Sequence, residues 1–400
     1  MNLQFYKEVI KKILPDTPSP FFIFSSDAIL RNLNFFKDSF NRYWTNHIIS
    51  YSVKTNPLLG ICKLLSNSNC WLEVTSPHEI IIAKKIGEKT NIVYNGIYKS
   101  LKDIELASSL NGILNIDGWK QIEDIVSISK KINPPVLGVR FTPRFQTKTQ
   151  TWDKFGFEFN ESTVDRILSN LSKGRDLSVS CLHCHLGTNI NDSKIYYDSA
   201  LFLTEIMKMF EKKGAKIDYF DFGGGFISTN DANKIDDYVK NISQGLRIGG
   251  ARPDQTVIIE PGRSLVENSS VLITQVVDVK VQKDSEVDYA ILDSGVNMIM
   301  GTDLVGQRNI LPLNDYSLAT NKYKLFGVLC AQSDVFADDI SLPAIQAGDF
   351  CCILNTGAYD VSTSYPFSYL RPPIFIVDAA GNIEKLRKEE SSEYVFTLEA

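Results

Sequence analysis

Cysteine is scarce in this sequence and follows no framework. Seven in 400 residues, an odd number at irregular spacing, exclude a disulfide-stapled secreted scaffold and point to a reducing, cytoplasmic compartment. No uninterrupted apolar run reaches the ~18 residues of a membrane span, so no membrane association is expected. Long blocks of lysine and arginine are also missing. With a net charge of −5, the chain carries no electrostatic footprint for nucleic acid. There is no internal repeat and no low-complexity segment. No Gly-x-Gly-x-x-Gly follows the first strand-like run, which argues against a dinucleotide-binding sheet. The N-terminus does not read as a signal peptide. Leu3, Tyr6, Val9, Ile10 and Ile13 recur at helical spacing with lysines between them, which predicts a short amphipathic helix lying on the body of the protein.

What remains is ordinary globular material, 44% apolar and 22% charged. Its length suits two domains, or one large barrel with an addition. Strand-like runs at 48–53, 70–75, 92–94, 112–116, 136–141, 177–185, 217–222 and 256–259 alternate with helical stretches. Several are nearly continuous in apolar residues, as strands buried on both faces are. Ser76-Pro-His-Glu79 is a helix start with a capping box, and 192–213 carries an apolar face that stops at Gly214. This alternation predicts an α/β fold, a (β/α)8 TIM-type barrel over 26–265. After residue 265 the runs 271–281, 289–292, 323–328, 349–354 and 374–377 are short and β-branched, with turn residues between them. They predict a C-terminal all-β domain, a sandwich or barrel over 266–400, joined by residues 1–25, whose 21–24 stretch is also strand-like.

The ends of the barrel strands carry the chemistry. In order they offer Lys54, Glu73, Asn95, Asp117, Arg140, His185, Gly223-Gly-Gly225 and Glu260-Pro-Gly-Arg263. The three glycines after the seventh strand suit a nest of backbone N–H groups for phosphate, and equally a tight turn that needs positive φ. Glu260 ends an apolar strand and needs a partner, either a protonated ring nitrogen or a buried arginine, Arg263 or Arg140. Cys181-Leu-His-Cys-His185 suggests zinc. On a strand, though, Cys181, His183 and His185 share one face and Cys184 does not, which is poor geometry for a tetrahedral cage, so no metal is expected. His185 can instead stack on a flat ring, or be a satisfied core histidine. An amine, a phosphate nest and a carboxylate for a ring nitrogen at one mouth match the handles of pyridoxal 5'-phosphate.

From about residue 20 to 378 the chain resembles the fold-type III pyridoxal-phosphate decarboxylases, the diaminopimelate/ornithine decarboxylase family. The motifs are Tyr51-Ser-Val-Lys54 with Asn56, Glu73-Val-Thr-Ser76, Trp152-Asp-Lys-Phe-Gly156, His183-Cys-His-Leu-Gly187, Gly223-Gly-Gly225, Glu260-Pro-Gly-Arg263, Gly327-Val-Leu-Cys330 with Asp334, and Gly357-Ala-Tyr359. The resemblance implies that Lys54 carries the cofactor as a Schiff base, that His185 stacks on its ring and that Glu260 keeps the ring nitrogen protonated. It implies that Gly223, Gly224, Gly225, Arg263 and Tyr359 hold the phosphate, with Thr188 standing where the family usually has serine. Glu73 and Arg140 would stand close to the lysine and help to position it. Cys330 would reach the site of the other subunit in a homodimer and deliver a proton after CO2 leaves.

The substrate half departs from the pattern. Ala331 and Gln332 follow the cysteine where the family has an aspartate or glutamate for a distal amine. The Arg-Pro pair of diaminopimelate-type members, expected near positions 300 and 301, is missing, and Ser368 stands where many relatives have asparagine. Asp303 and Asp334 are the remaining candidates for a basic substrate. The expectation is therefore decarboxylation of a modified or specialised-pathway amino acid, such as in siderophore or natural-product biosynthesis. Diaminopimelate decarboxylation is the alternative. An alanine-racemase-like enzyme and a non-catalytic regulatory homologue come after it.

Overall fold

The computed structural model describes residues 3–88, 90–133, 135–143, 154–300, 308–314 and 320–397. The chain divides into two compact units, 30–265 and 1–29 with 266–400.

The N-terminal residues belong to the second unit. Helix Leu3–Ile13 turns Tyr6, Val9, Ile10 and Ile13 onto a core with Phe21, Ile23, Val271, Ile273, Phe375 and Val377. Its lysines stay outside, as the helical spacing predicts. Strand β1, Phe21–Ser25, follows.

The 30–265 unit is a closed parallel barrel. Its strands are β2 His47–Ser52, β3 Trp71–Val74, β4 Ile92–Tyr94, β5 Gly112–Ile116, β6 Val136–Arg140, β7 Val179–His183, β8 Tyr219–Asp221 and β9 Thr256–Ile259. All eight predicted runs are strands. Two helix signals hold as well. Ser76 caps Pro77–Ile86 by accepting from the Glu79 amide, while the Glu79 carboxylate returns to the Thr75 amide at 2.6 Å. Helix Lys194–Lys212 ends before Gly214, whose φ is +88°.

Register sorts the barrel interior into two storeys. Ser52 pairs with Glu73, and Glu73 with Val93. Arg140 pairs with His183, and His183 with Asp221. Side chains two apart on one strand share a face. Val93, Ile113, Cys181 and Ile258, with Ile48, Trp71, Val136 and Tyr219 packed against them, form an apolar floor. Each fully buried apolar side chain contributes about 1.5–3 kcal/mol. Two residues further along the same strands stand Glu73, Asn95, Asn115, His183, Asp221 and Glu260, all buried. The polar storey therefore sits at the C-terminal mouth, on a dry base.

The second unit adds β10 Ser270–Lys280, β11 Val287–Leu292, β12 Ile310–Pro312, β13 Thr320–Phe326, β14 Val335–Pro343, β15 Phe350–Leu354, β16 Ile374–Val377 and β17 Ile383–Arg387. The sheet order is β14-β13-β11-β10-β1-β16-β17, and β15 pairs with β10 and β12. β1 runs antiparallel to β10 and parallel to β16, so the early 21–24 stretch does join this sheet. β12, β14 and β17 escape the sequence pattern. The first is three residues ending in Pro312. The other two carry exposed charges, Asp338 and Asp339 on β14, Glu384 and Lys385 on β17. Among the described residues no helix is long and apolar enough to cross a membrane.

Candidate active site

Lys54 lies in the single 3-10 turn Val53–Thr55 that ends β2. The Tyr51 hydroxyl fixes that turn by donating to the Asn56 carbonyl at 3.1 Å. The lysine side chain is 43% exposed, while Glu73 beside it is 1% exposed. Lys54 Nζ donates to Glu73 Oε2 at 2.6 Å and to Ser52 Oγ at 2.7 Å, and Ser52 Oγ donates to the same Glu73 oxygen at 2.5 Å. The amine is thus reachable from solvent on one side and tied to a buried carboxylate on the other.

Two amides connect Glu73 to the rest of the mouth. Asn95 Nδ2 donates to Glu73 Oε1 at 3.3 Å and to Glu260 Oε1 at 2.5 Å. Asn115 Nδ2 donates to Asn95 Oδ1 at 2.8 Å and to Asp221 Oδ2 at 3.0 Å. Gly138 on the next strand leaves the room that Asn115 needs, since a Cβ there would collide with its Oδ1. Burial pushes Glu260 well above the ordinary carboxyl range, reinforced by the neighbouring Asp221 and Glu73. Burial also raises Asp221, against the pull of the Gly223 amide. Three buried carboxylates beside one lysine cannot all be ionised cheaply, so burial favours a proton on the Asp221–Glu260 pair.

Arg140 is buried and paired with Asp117 at 3.0 Å, with its guanidinium over the Phe155 ring at 4.2 Å. Asp117 in turn accepts from the Gly156 amide at 2.8 Å. Arg140 thus rests on Asp117 and Phe155, and its field, like that of Lys54, acts on both histidines. Burial and then Arg140 hold both His183 and His185 well below the usual imidazole range, so both are neutral. His185 Nδ1 accepts from the Gly224 amide at 3.0 Å, which puts the ring proton on Nε2. Fully buried Lys99 donates to the Gly96 and Asn115 carbonyls and to Gln121, and burial pulls its pKa down to about 7.

The glycines after β8 form a cradle no larger side chain fits. Gly223 and Gly225 have φ of +61° and +99°. A Cβ would come within 2.5 Å of His185 Nδ1 at Gly223, 2.7 Å of the Glu260 carbonyl at Gly224 and 2.8 Å of the Gly187 carbonyl at Gly225. Asp221 Oδ1 pins the first turn by accepting from Gly223 N at 3.0 Å. Arg263 opens the helical turn Arg263–Val266 and is half-buried, while Thr188 is exposed. Gly223→Ala is expected to weaken cofactor binding about tenfold or more, through left-handed strain and displacement of the His185 ring. A fluorescence titration of the cofactor-free protein with pyridoxal phosphate checks this.

His183, Asp221 and Glu260 each place one donor atom within 4.8 Å of the other two. His183 Nε2 stands 3.9 Å from Glu260 Oε2, and neither ring nitrogen has a hydrogen-bond partner among the described residues. Cys181 belongs to the apolar floor and burial pushes the Cys184 thiol up; among the described residues neither joins this cluster. The orphaned imidazole, the proton-bearing carboxyl pair, the reachable amine and the glycine cradle fit pyridoxal phosphate.

The motif residues of the second unit have supports of their own. Tyr359 adopts φ +68° and ψ −27°, a left-handed conformation that costs a non-glycine residue about 1–3 kcal/mol. Asp360, next to it, is held by the buried Arg308 at 2.7 Å and by the Met300 amide at 2.8 Å. Cys330 is an exposed thiol, followed by half-buried Ala331 and exposed Gln332. Asp334 is 1% exposed and spends both oxygens on backbone, accepting from Val296 N at 2.8 Å and Leu329 N at 2.7 Å. That reassigns Asp334 from a substrate contact to an anchor of the turn bearing Cys330. Asp303 and the Trp152-Asp153 pair lie outside the described residues.

Comparison with known proteins supplies the family. The model for "Pyridoxal-dependent decarboxylase, pyridoxal binding domain" matches residues 26–267. The chain is 27% identical to the diaminopimelate decarboxylase of Helicobacter pylori strain J99, covering 95% of each chain. It is 25% identical to that of Aquifex aeolicus, over 96% of this chain and 93% of the relative. A crystal structure of the Helicobacter pylori diaminopimelate decarboxylase complexed with L-lysine superposes with a TM-score of 0.87 at 27% identity, covering 97% of this chain and 98% of the other. The chain belongs to the pyridoxal-dependent decarboxylases, as a carboxy-lyase that acts on an amino acid with pyridoxal phosphate.

Proposed function

We propose that the chain removes the Cα carboxylate of a diamino acid of the diaminopimelate type, with Lys54 as the residue that carries the cofactor. One observation carries the assignment of roles. A half-exposed amine on a buried carboxylate, a second, proton-bearing carboxyl and a glycine cradle are joined by one hydrogen-bonded network.

The cofactor supplies an electrophilic aldehyde and a ring that draws electrons from the bond to the departing carboxylate. Lys54, His185 and Glu260 would hold its ring end. The amides of Gly223 to Gly225, with Arg263 and Thr188, would hold its phosphate. Glu73 Oε2 accepts the Lys54 proton and fixes the amine's direction, while Ser52 Oγ shares that oxygen. The carboxyl of Glu260 carries the proton that a ring nitrogen needs. Neutral His185 adds no cation that would compete with that proton. The apolar floor keeps water away from the underside. The Cys330 thiol delivers the proton that replaces CO2 at Cα. Serving the site of a second copy, it makes the working unit a homodimer; a monomer mass for the active holoenzyme by light scattering would end that part.

The relatives named diaminopimelate decarboxylase, matched over nearly the whole chain, support the substrate class. A second reading, a modified or specialised-pathway amino acid such as a siderophore precursor, is favoured by one specific feature. Ala331 and Gln332, and the missing Arg-Pro pair at positions 300 and 301, replace the groups expected to read the substrate's far end. Incubation of the holoenzyme with meso-diaminopimelate and a panel of amino acids, read by CO2 release, separates the two. Saturable release from diaminopimelate at roughly 1–1000 per second is expected. Silence on diaminopimelate with turnover of a derivatised amino acid selects the second reading, and inversion of chirality without CO2 sinks both.

A further inference from the structure

We propose that Asn95 is a positioning residue that holds the carboxylate serving Lys54 and the carboxylate serving the cofactor ring in fixed relation. Asn95 stands one residue past β4 and is 7% exposed. Its backbone amide donates to the Val74 carbonyl at 2.9 Å, which fixes the point from which the side chain starts. One Nδ2 hydrogen goes to Glu73 and the other to Glu260, and Oδ1 receives the Asn115 amide. Every polar atom of the side-chain amide is therefore committed. A flipped amide would set its oxygen against two carboxylates and its NH2 against that of Asn115, so only one orientation is tenable.

The choice of a neutral donor follows from the charges around it. The titratable and charged groups facing the Glu73–Glu260 pair are Lys54, Glu79, Asp221, His183, Cys181 and Cys184. A lysine at position 95 would capture both carboxylates as a salt bridge, and an acid would add a further buried carboxyl group. An amide offers two hydrogens and no net charge, so one donor serves both carboxyl groups without adding charge between them. Asn95 is also the described hydrogen-bond donor to Glu260. The other Glu260 oxygen faces His183 at 3.9 Å, beyond hydrogen-bond range. Asn95 and the Asp221 carboxyl, which also hydrogen-bonds Glu260, together set the direction of Glu260.

This inference rests on the roles proposed for Lys54 and Glu260. Its test is the visible absorption of the reconstituted holoenzyme titrated against pH in Asn95→Ala, Asn95→Asp and Asn95→Ser. Losing the donor makes both carboxylates more basic, and the acid adds charge, so Asn95→Ala and Asn95→Asp should raise the midpoint by about one unit or more. Asn95→Ser, which retains one donor, should lie between them and the wild type. Cofactor affinity should fall about tenfold or more in Asn95→Ala. Wild-type midpoints and wild-type cofactor affinity in variants that lose only thermal stability would overturn the proposal, leaving Asn95 a packing residue. If Asn95→Ala does not fold, the near-isosteric aspartate and the serine carry the same test. Borohydride trapping on the wild type keeps the two layers apart: an adduct away from Lys54 refutes the underlying roles, whereas an adduct on Lys54 with unmoved midpoints refutes only the part given to Asn95.

Discussion

Lys54→Ala is expected to lower turnover by about 10⁴-fold or more, the scale on which loss of a covalent group silences an enzyme. The fold should survive. The Lys54 side chain is 43% exposed and makes no part of the apolar floor. Its partner Glu73 keeps the Ser52 hydroxyl and the Asn95 amide, so the buried carboxylate is not stranded. Because the lysine is well solvated, the ion pair is worth little to stability, within about 1 kcal/mol. Circular dichroism and urea unfolding should therefore match the wild type while CO2 release disappears. The cofactor should also be retained less firmly, since the remaining holds are non-covalent. Full activity in this variant would remove the basis of the site.

Glu260→Gln should likewise cost activity, with unharmed or improved stability. Glutamine can still accept from Asn95, and its NH2 gains Asp221 and His183 as neighbours. What it cannot do is hold a ring nitrogen protonated. Removing a positioned proton-transfer group costs about 10²–10⁴-fold in rate. The sign of the pH effect on stability can be worked out. Burial raises Glu260 in the folded protein, so the folded state binds its proton more tightly than the unfolded chain. That contribution is complete below the unfolded carboxyl range, near pH 4. It is lost as pH rises toward the folded value. The cofactor-free wild type should lose stability along that rise, and Glu260→Gln should flatten the curve. A steeper curve in the variant would contradict the protonation assigned here.

Much of this was readable from the chain, for physical reasons that differ by residue. The eight barrel strands announce themselves because strands buried on both faces need unbroken apolar runs. Lys54 and Gly223 to Gly225 stand at the ends of such runs, where a change of chemistry is abrupt. Asn115 and Asp221 carried no such mark. Each lies inside a strand, and a polar residue there looks like noise until register shows it two residues above the apolar floor. The partner of Arg140 was hidden because Asp117 is on a different strand end and long-range pairing leaves no local trace. Asp334 misled for a related reason. A carboxylate near an exposed motif cysteine reads as a substrate group until its two oxygens are found on backbone amides. β14 and β17 were missed because their solvent-facing charges blur the strand pattern.

The most direct test of the central claim is reduction of the wild-type holoenzyme with borohydride, followed by proteolysis and mass mapping. The pyridoxyl group should sit on the peptide carrying Tyr51-Ser-Val-Lys54, at Lys54. An adduct on another lysine, such as the buried Lys99, or no adduct at all, would contradict it.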